Sequence, residues 1–251
     1  MDCSLAVHVL HACQFNKLLW VNQIPQCPVF RPSIEEFKGP FVFHHTIAPQ
    51  ASKYGMCKIV SPWNASVLAS DVLMNEQRGI NYHHSGAPKT WYGVPGRVAS
   101  QLDKVARDYV YDPDILSHIG KAGASALLAE KTTMFPPNIL LQHNVPVHKA
   151  MQMAGEYVIT LPRAYHAGFN QGFNCDEAVN FAFGDWFPWG AVAGQVYAHI
   201  CRMVILPYEE LLCKEAIILS KSSNYGITET TSESCVRSSF VTHIESLNIV
   251  L

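Results

Sequence analysis

From Met134 onward, short runs of alternating apolar and polar residues are bounded by glycine or proline, a pattern that predicts strands. VPVHKAMQ and EYVITLP flank a Met153-Ala154-Gly155 turn, and AYHAGFN and DEAVNFAF flank Gly172. Upstream, GINYHHSGAPKTWYGVPG reads as two paired extended runs around a Ser85-Gly86 turn, and Met56 to Val60 reads as a short strand. Helical spacing takes over across residues 100–131, notably at Leu102, Val105 and Tyr109, with Pro113 as an interruption. Ser33 followed by Glu36 forms a capping-box pattern for a short helix that Gly39-Pro40 should stop, and Pro49 to Tyr54 suggests a second helical turn. PYEELLCKEAIIL, from Pro207, has the spacing of an amphipathic helix, with Leu211, Leu212 and Ile217 among its apolar positions. Short strands with glycine and proline turns, preceded by helices, point to an α+β chain with a jelly-roll-like barrel.

Composition narrows the class. The chain has 251 residues, 49% apolar and 15% charged, enough for one well-buried domain and a small accessory unit. A net charge of -2 excludes broad phosphate-backbone binding as the main business of the surface, so no sequence-specific nucleic-acid reader is expected. No apolar run is long enough to cross a membrane, and the N-terminal stretch lacks the basic start of a signal peptide, so a soluble protein is expected. The eight cysteines form no CxxC or CxC pair, which argues against a zinc finger or a disulfide framework and for reduced thiols.

Three groups carry candidate chemistry. Lys89, Trp91 and Gly93 fall on one face of an extended run, so Lys89 could clamp a carboxylate beside an aromatic wall, with Asn81 nearby; the plain alternative is a surface lysine on an edge strand. His166, flanked by Ala167 and Tyr165 and followed by Gly168, leaves room for a ligand or metal at its ring; a satisfied core or surface histidine is the plain alternative. Asn180 interrupts the apolar Ala178, Val179 and Phe181, as a buried amide that needs either backbone or substrate partners.

Taken together, GAPKTWYGVPG and PRAYHAGFNQGFNCDEAVNFAFGDWFP resemble the JmjC domain of histone lysine demethylases, and CPVFRPSIEEFKGPFVFHHTIAPQASKYGMCKIVSP resembles the accompanying JmjN segment, most closely in the plant branch. The resemblance implies a double-stranded β-helix, here partial, with helical decoration. It implies oxidative demethylation of methylated histone H3 in the nucleus with Fe(II) and 2-oxoglutarate, with lysine 27 or lysine 9 as candidate sites. By motif match, His166 is the distal iron histidine, and Lys89 takes the distal carboxylate of 2-oxoglutarate, with Asn81 and Trp91 lining that pocket. Ala178, Val179 and Asn180 match the stretch beside the methylammonium group.

One expected motif is absent. The remaining iron ligands should form an H-x-D/E pair about ten residues before Asn81, where an ungapped count finds Asp71 and Leu73. Residues up to Arg78 resemble the stretch following JmjN, and residues from Ile80 resemble the middle of JmjC, as though a long segment between them were missing; alternative splicing or a misjoined gene would produce such a junction. His243 and Glu245 have H-x-E spacing but lie in the polar tail, after His166 rather than before it. The expected organisation is a divergent N-terminal segment (1–25), a JmjN-like segment (26–64), a junction (65–79), an incomplete JmjC core (80–190), a C-terminal helical segment (191–220) and a mobile tail (221–251). An impaired demethylase and a non-catalytic chromatin interaction module are the two leading functions, with a small-acid metal cupin third. A barrel without its early strands should be marginal and aggregation-prone unless the JmjN segment or residues 63–79 pair in their place.

Overall fold

The computed structural model describes residues 19–63, 79–119, 123–129, 134–180, 186–199 and 207–222. The junction residues 64–78 and the tail beyond 222, with Asp71, Leu73, His243 and Glu245, lie outside the described residues.

The N-terminal half opens with α1 (Leu19–Gln23) and the short β1 (Val29–Phe30). In α2 (Ile34–Phe37), Ser33 Oγ accepts from the Glu36 backbone N–H while the Glu36 carboxylate accepts from the Ser33 backbone N–H, the capping box the spacing predicts. Gly39-Pro40 stops α2, whose C-cap is Lys38, as the spacing predicts, but it does not end the helical region. Gly39 is instead the N-cap of α3 (Pro40–Ala51), and Pro40 stands in its first turn, where a missing N–H breaks no helical bond. Pro49 therefore falls inside α3 rather than opening a second turn. β2 (Met56–Val60) follows, then β3 (Gly79–Gly86) and β4 (Lys89–Val94).

A helical layer comes next: α4 (Ala99–Val105), a π-helical stretch (Ala106–Val110), α5 (Pro113–Ile119), α6 (Gly123–Ala129) and α7 (Asn138–Gln142). The helical run is interrupted at Tyr111 and Asp112, and Pro113 opens α5, where its missing N–H breaks no helical bond. The last four strands are β5 (His148–Gln152), β6 (Glu156–Thr160), β7 (Tyr165–Asn170) and β8 (Asn174–Asn180), and α8 (Phe187–His199) and α9 (Tyr208–Ser222) complete the described chain.

The strands form two sheets, one ordered β1-β2-β6-β3-β8 and the other β5-β4-β7. The short connections do not make hairpins. β3 pairs with β6 and β8, whereas β4 pairs with β5 and β7, so the two runs around Ser85-Gly86 are not partners. β5 to β6 and β7 to β8 likewise pass from one sheet to the other. Gly86 makes the first crossing feasible: its φ is +98°, and a Cβ there would collide with the Phe173 carbonyl oxygen. This alternation between facing sheets is the wiring of a double-stranded β-helix.

Three apolar clusters position the barrel. Met56 and Val158 from one sheet meet Trp91 and Ala150 from the other, with Cys27, in the space between the sheets. Phe37, Ile47, Ala48 and Ala51 of α2 and α3 cover Cys57, Ile59 and Ile159 on the larger sheet. Leu102, Val105 and Leu140 of α4 and α7 pack with Val94, Val145 and Val147. A fourth cluster, Phe187, Tyr208 and Leu212, joins α8 to α9.

Candidate functional site

β4 is the middle strand of its sheet, so Lys89 does not sit on an edge. Its ammonium lies 4.8 Å from the centroid of the Trp91 ring, on the face that alternation assigns to both. Trp91 Nε1 donates to Gln152 Oε1 at 2.7 Å, and Gln152 Nε2 donates to the carbonyls of Asn81 and Glu156, each at 3.0 Å. One buried glutamine thus ties β4 and β5 to β3 and β6 across the gap between sheets.

Asn81, on β3, projects toward the same region. Its Nδ2 lies 3.5 Å from Asp176 Oδ2, and the Lys89 ammonium forms an ion pair with that same oxygen. His83, fully buried two residues along β3, brings Nδ1 to 3.6 Å from Asp176 Oδ1. Asp176 is the cross-strand partner of His83, so β8 inserts this carboxylate between the sheets.

His166 is on β7 opposite Gly93, one strand from Lys89 and on the same face of the sheet. Its ring is 6.1 Å from that of Trp91 and the residue is exposed. The neighbouring Gly168 makes room for the indole rather than for a ligand at the histidine: a Cβ there would lie 2.8 Å from the Thr90 carbonyl oxygen and 3.1 Å from Trp91. Ala178, Val179 and Asn180 are all exposed, because β8 is the last strand of its sheet. The expectation of a buried Asn180 amide is therefore wrong: with β8 at the edge, the side chain reaches solvent. Alternation still puts Ala178 and Asn180 on the Asp176 face and Val179 on the other.

The structure brings Asn81, Lys89 and Trp91 together, with His166 on the adjoining strand. Sequence reasoning missed two residues. Gln152 ends an alternating strand at an inward position, which was a readable signal. Asp176 stands beside Glu177 in an acidic pair that looks solvated, and only the strand register reveals that it turns inward.

Other histidines are taken up by packing. His143 stacks on Tyr109 with centroids 3.8 Å apart, and His148 is buried edge-on to Tyr54 at 4.9 Å, where burial holds its pKa below the ordinary imidazole value. The Tyr165 hydroxyl donates to Asp103 at 2.6 Å, fastening β7 to α4; burial raises the Asp103 pKa.

Two facing sheets joined by sheet-to-sheet crossings, with a lysine, an amide and an indole turned inward, define a cupin-like jelly roll of the JmjC type. Residues 66–181 match the family described as JmjC domain, hydroxylase, and residues 28–61 match the jmjN domain. The chain is 34% identical over 380 residues to Lysine-specific demethylase JMJ706 of Oryza sativa subsp. japonica, covering 90% of this chain and 44% of that protein. It is 45% identical over 137 residues to Lysine-specific demethylase 5B of Gallus gallus and to Lysine-specific demethylase 5D of Homo sapiens, covering 55% of this chain and 8% of each. The chain belongs to the JmjN/JmjC family of lysine demethylases. It spans less than half the length of the rice relative and less than a tenth of the other two.

The donor set discriminates between the two cofactors the family implies. Lys89, Asn81 and Trp91 have the chemistry to hold a short dicarboxylate, although Asp176 already engages the first two. For iron, the described residues alone offer no such set: among them, no three His, Cys, Asp or Glu side chains come together as a group able to hold a metal ion.

Proposed function

We propose that this chain is an impaired form of a 2-oxoglutarate- and Fe(II)-dependent demethylase of methylated histone H3 acting in the nucleus, with the H-x-D/E iron pair lost. The inward cluster of Lys89, Asn81 and Trp91 beside His166 carries the reading, because it keeps the co-substrate half of such a site on two well-packed sheets. The loss of the iron pair has independent support. The alignment with the rice relative runs to 380 positions against 251 residues in this chain, so at least 129 of those positions face no residue here. Such an excess is what a long internal segment missing between the JmjN-like region and the second half of JmjC would produce.

Anaerobic addition of Fe(II) and 2-oxoglutarate, followed by visible absorption, tests the impairment. No charge-transfer band is expected; a band that disappears in His166→Ala would overturn the impairment and return the chain to the active enzymes. The substrate half is tested by fluorescence anisotropy with methylated and unmethylated H3 peptides. Preference for the methylated peptide is expected, and equal affinity would refute the histone-mark reading.

The second reading, a non-catalytic interaction module, is favoured by the exposure of Ala178, Val179 and Asn180 along the β8 edge. Methyl-dependent peptide binding with no binding of 2-oxoglutarate by calorimetry would select it over the impaired enzyme, which keeps the co-substrate half.

A further inference from the structure

The cation that should receive a ligand carboxylate already holds a carboxylate from within the chain. Lys89 and Asp176 form an ion pair between the two sheets, with side chains only 18% and 11% exposed. Asn81 Nδ2 approaches the same carboxylate, and His83 stands against its other oxygen. Among the described residues, Asp176 Oδ1, Asn81 Oδ1 and both His83 ring nitrogens are buried without a hydrogen-bond partner. So much unmet polar capacity around one carboxylate is costly unless a ligand with further donors and acceptors completes it.

A second carboxylate brought to Lys89 would meet Asp176 as a like charge in a half-dry site, sharing one ammonium. We propose that Asp176 is an internal carboxylate that occupies the Lys89 seat and competes with a short dicarboxylic acid for it. The inference rests on the family reading only in taking Lys89 as a carboxylate anchor. Asp176 comes from an edge strand, so the competition is set by the seating of β8: the acid binds when Asp176 withdraws. The residue thereby decides whether the pocket takes an acidic ligand at all.

The test measures binding of 2-oxoglutarate, and of glutarate as the analogue lacking the keto group, to the full chain by calorimetry without added metal. Wild type, Asp176→Asn, Asp176→Ala, Lys89→Met and the Lys89→Met/Asp176→Ala double variant are compared, each checked for fold by circular dichroism. Asp176→Asn keeps the side-chain volume and guards against a cavity defect in Asp176→Ala. The proposal expects weak binding to wild type, at least a tenfold gain in affinity on removing the Asp176 charge, and loss of that gain in the double variant. Folded Asp176 variants that bind no tighter than wild type would overturn it and leave the ion pair a structural tie. Tight binding to wild type that Lys89→Met abolishes would also overturn it, while upholding the co-substrate reading. A charge-dependent gain equal for glutarate and 2-oxoglutarate would uphold the proposal and count against that reading alone.

Discussion

Gln152 has no exposed surface, yet its amide ties its own strand to three others through Trp91, Asn81 and Glu156. Gln152→Leu would strand the indole N–H and two carbonyls in a dry interior, so a loss of about 2–4 kcal/mol is expected, read from the urea midpoint at unchanged slope. His148 supplies a pH dependence. Burial lowers its folded-state pKa below the unfolded value of 6.5, so its contribution is fully present above that value and is lost as pH falls through the folded one. Wild type should therefore lose stability between pH 7 and pH 5 more steeply than His148→Gln, as denaturant midpoints across that range would show. At this scale the inward face of β4 was legible, because alternation places Lys89 and Trp91 together without knowledge of the fold. Asp176 was not, because an Asp-Glu pair carries no sign of which carboxylate faces a lysine on another sheet.

Strands and helices divide into those whose edges are covered and those left open. β2, from the JmjN-matching segment, pairs along β6 from Met56↔Thr160 to Val60↔Glu156, so that segment closes one side of the larger sheet. Among the described residues β1 and β8 end one sheet and β5 and β7 the other; β1 is only two residues long and β5 is bridged by Gln26, so β7 and β8 are the long open edges, and the nearby Phe173 is 93% exposed. Such an edge invites pairing between chains, and an outward charge blocks it. Val179→Lys should lower light scattering at 37 °C while changing the urea midpoint by less than about 0.5 kcal/mol equivalent. α9 is held to α8 by one apolar cluster, in which its Tyr208 and the fully buried Leu212 meet Phe187. Leu212→Ala should cost about 2–5 kcal/mol there and expose α9 to limited proteolysis while the barrel strands keep their hydrogen-exchange protection. The helix signals at Ser33-Glu36 and Pro207 were readable because caps and apolar spacing are local. Gly39-Pro40 was legible as the stop of α2, but not as the start of α3, because the same pair that ends one helix also suits the start of the next.

For the molecule as a whole, a small inter-sheet core and two open edges predict a low thermal midpoint accompanied by aggregation. Differential scanning fluorimetry with simultaneous scattering checks this, and a single cooperative transition at high temperature would contradict it. Strand content could be read from period and turn residues, but strand order could not. Met153-Ala154-Gly155 and Gly172 mark turns correctly, yet a two- or three-residue connection gives no local sign that it crosses between sheets.

Those crossings also set a timetable for biogenesis. Because Asn81 pairs with Val158 and Ala178, β3 leaves the ribosome well before either neighbour has been synthesised, and roughly 5–20 s elapse before β8 follows at ordinary elongation rates. Until β6 follows, which is most of that interval, the nascent strand has no native partner, and the barrel can close only after β8 has been made. A chaperone requirement during translation, seen as lower soluble yield in chaperone-depleted extracts than in complete ones, is the expected mark of this wiring.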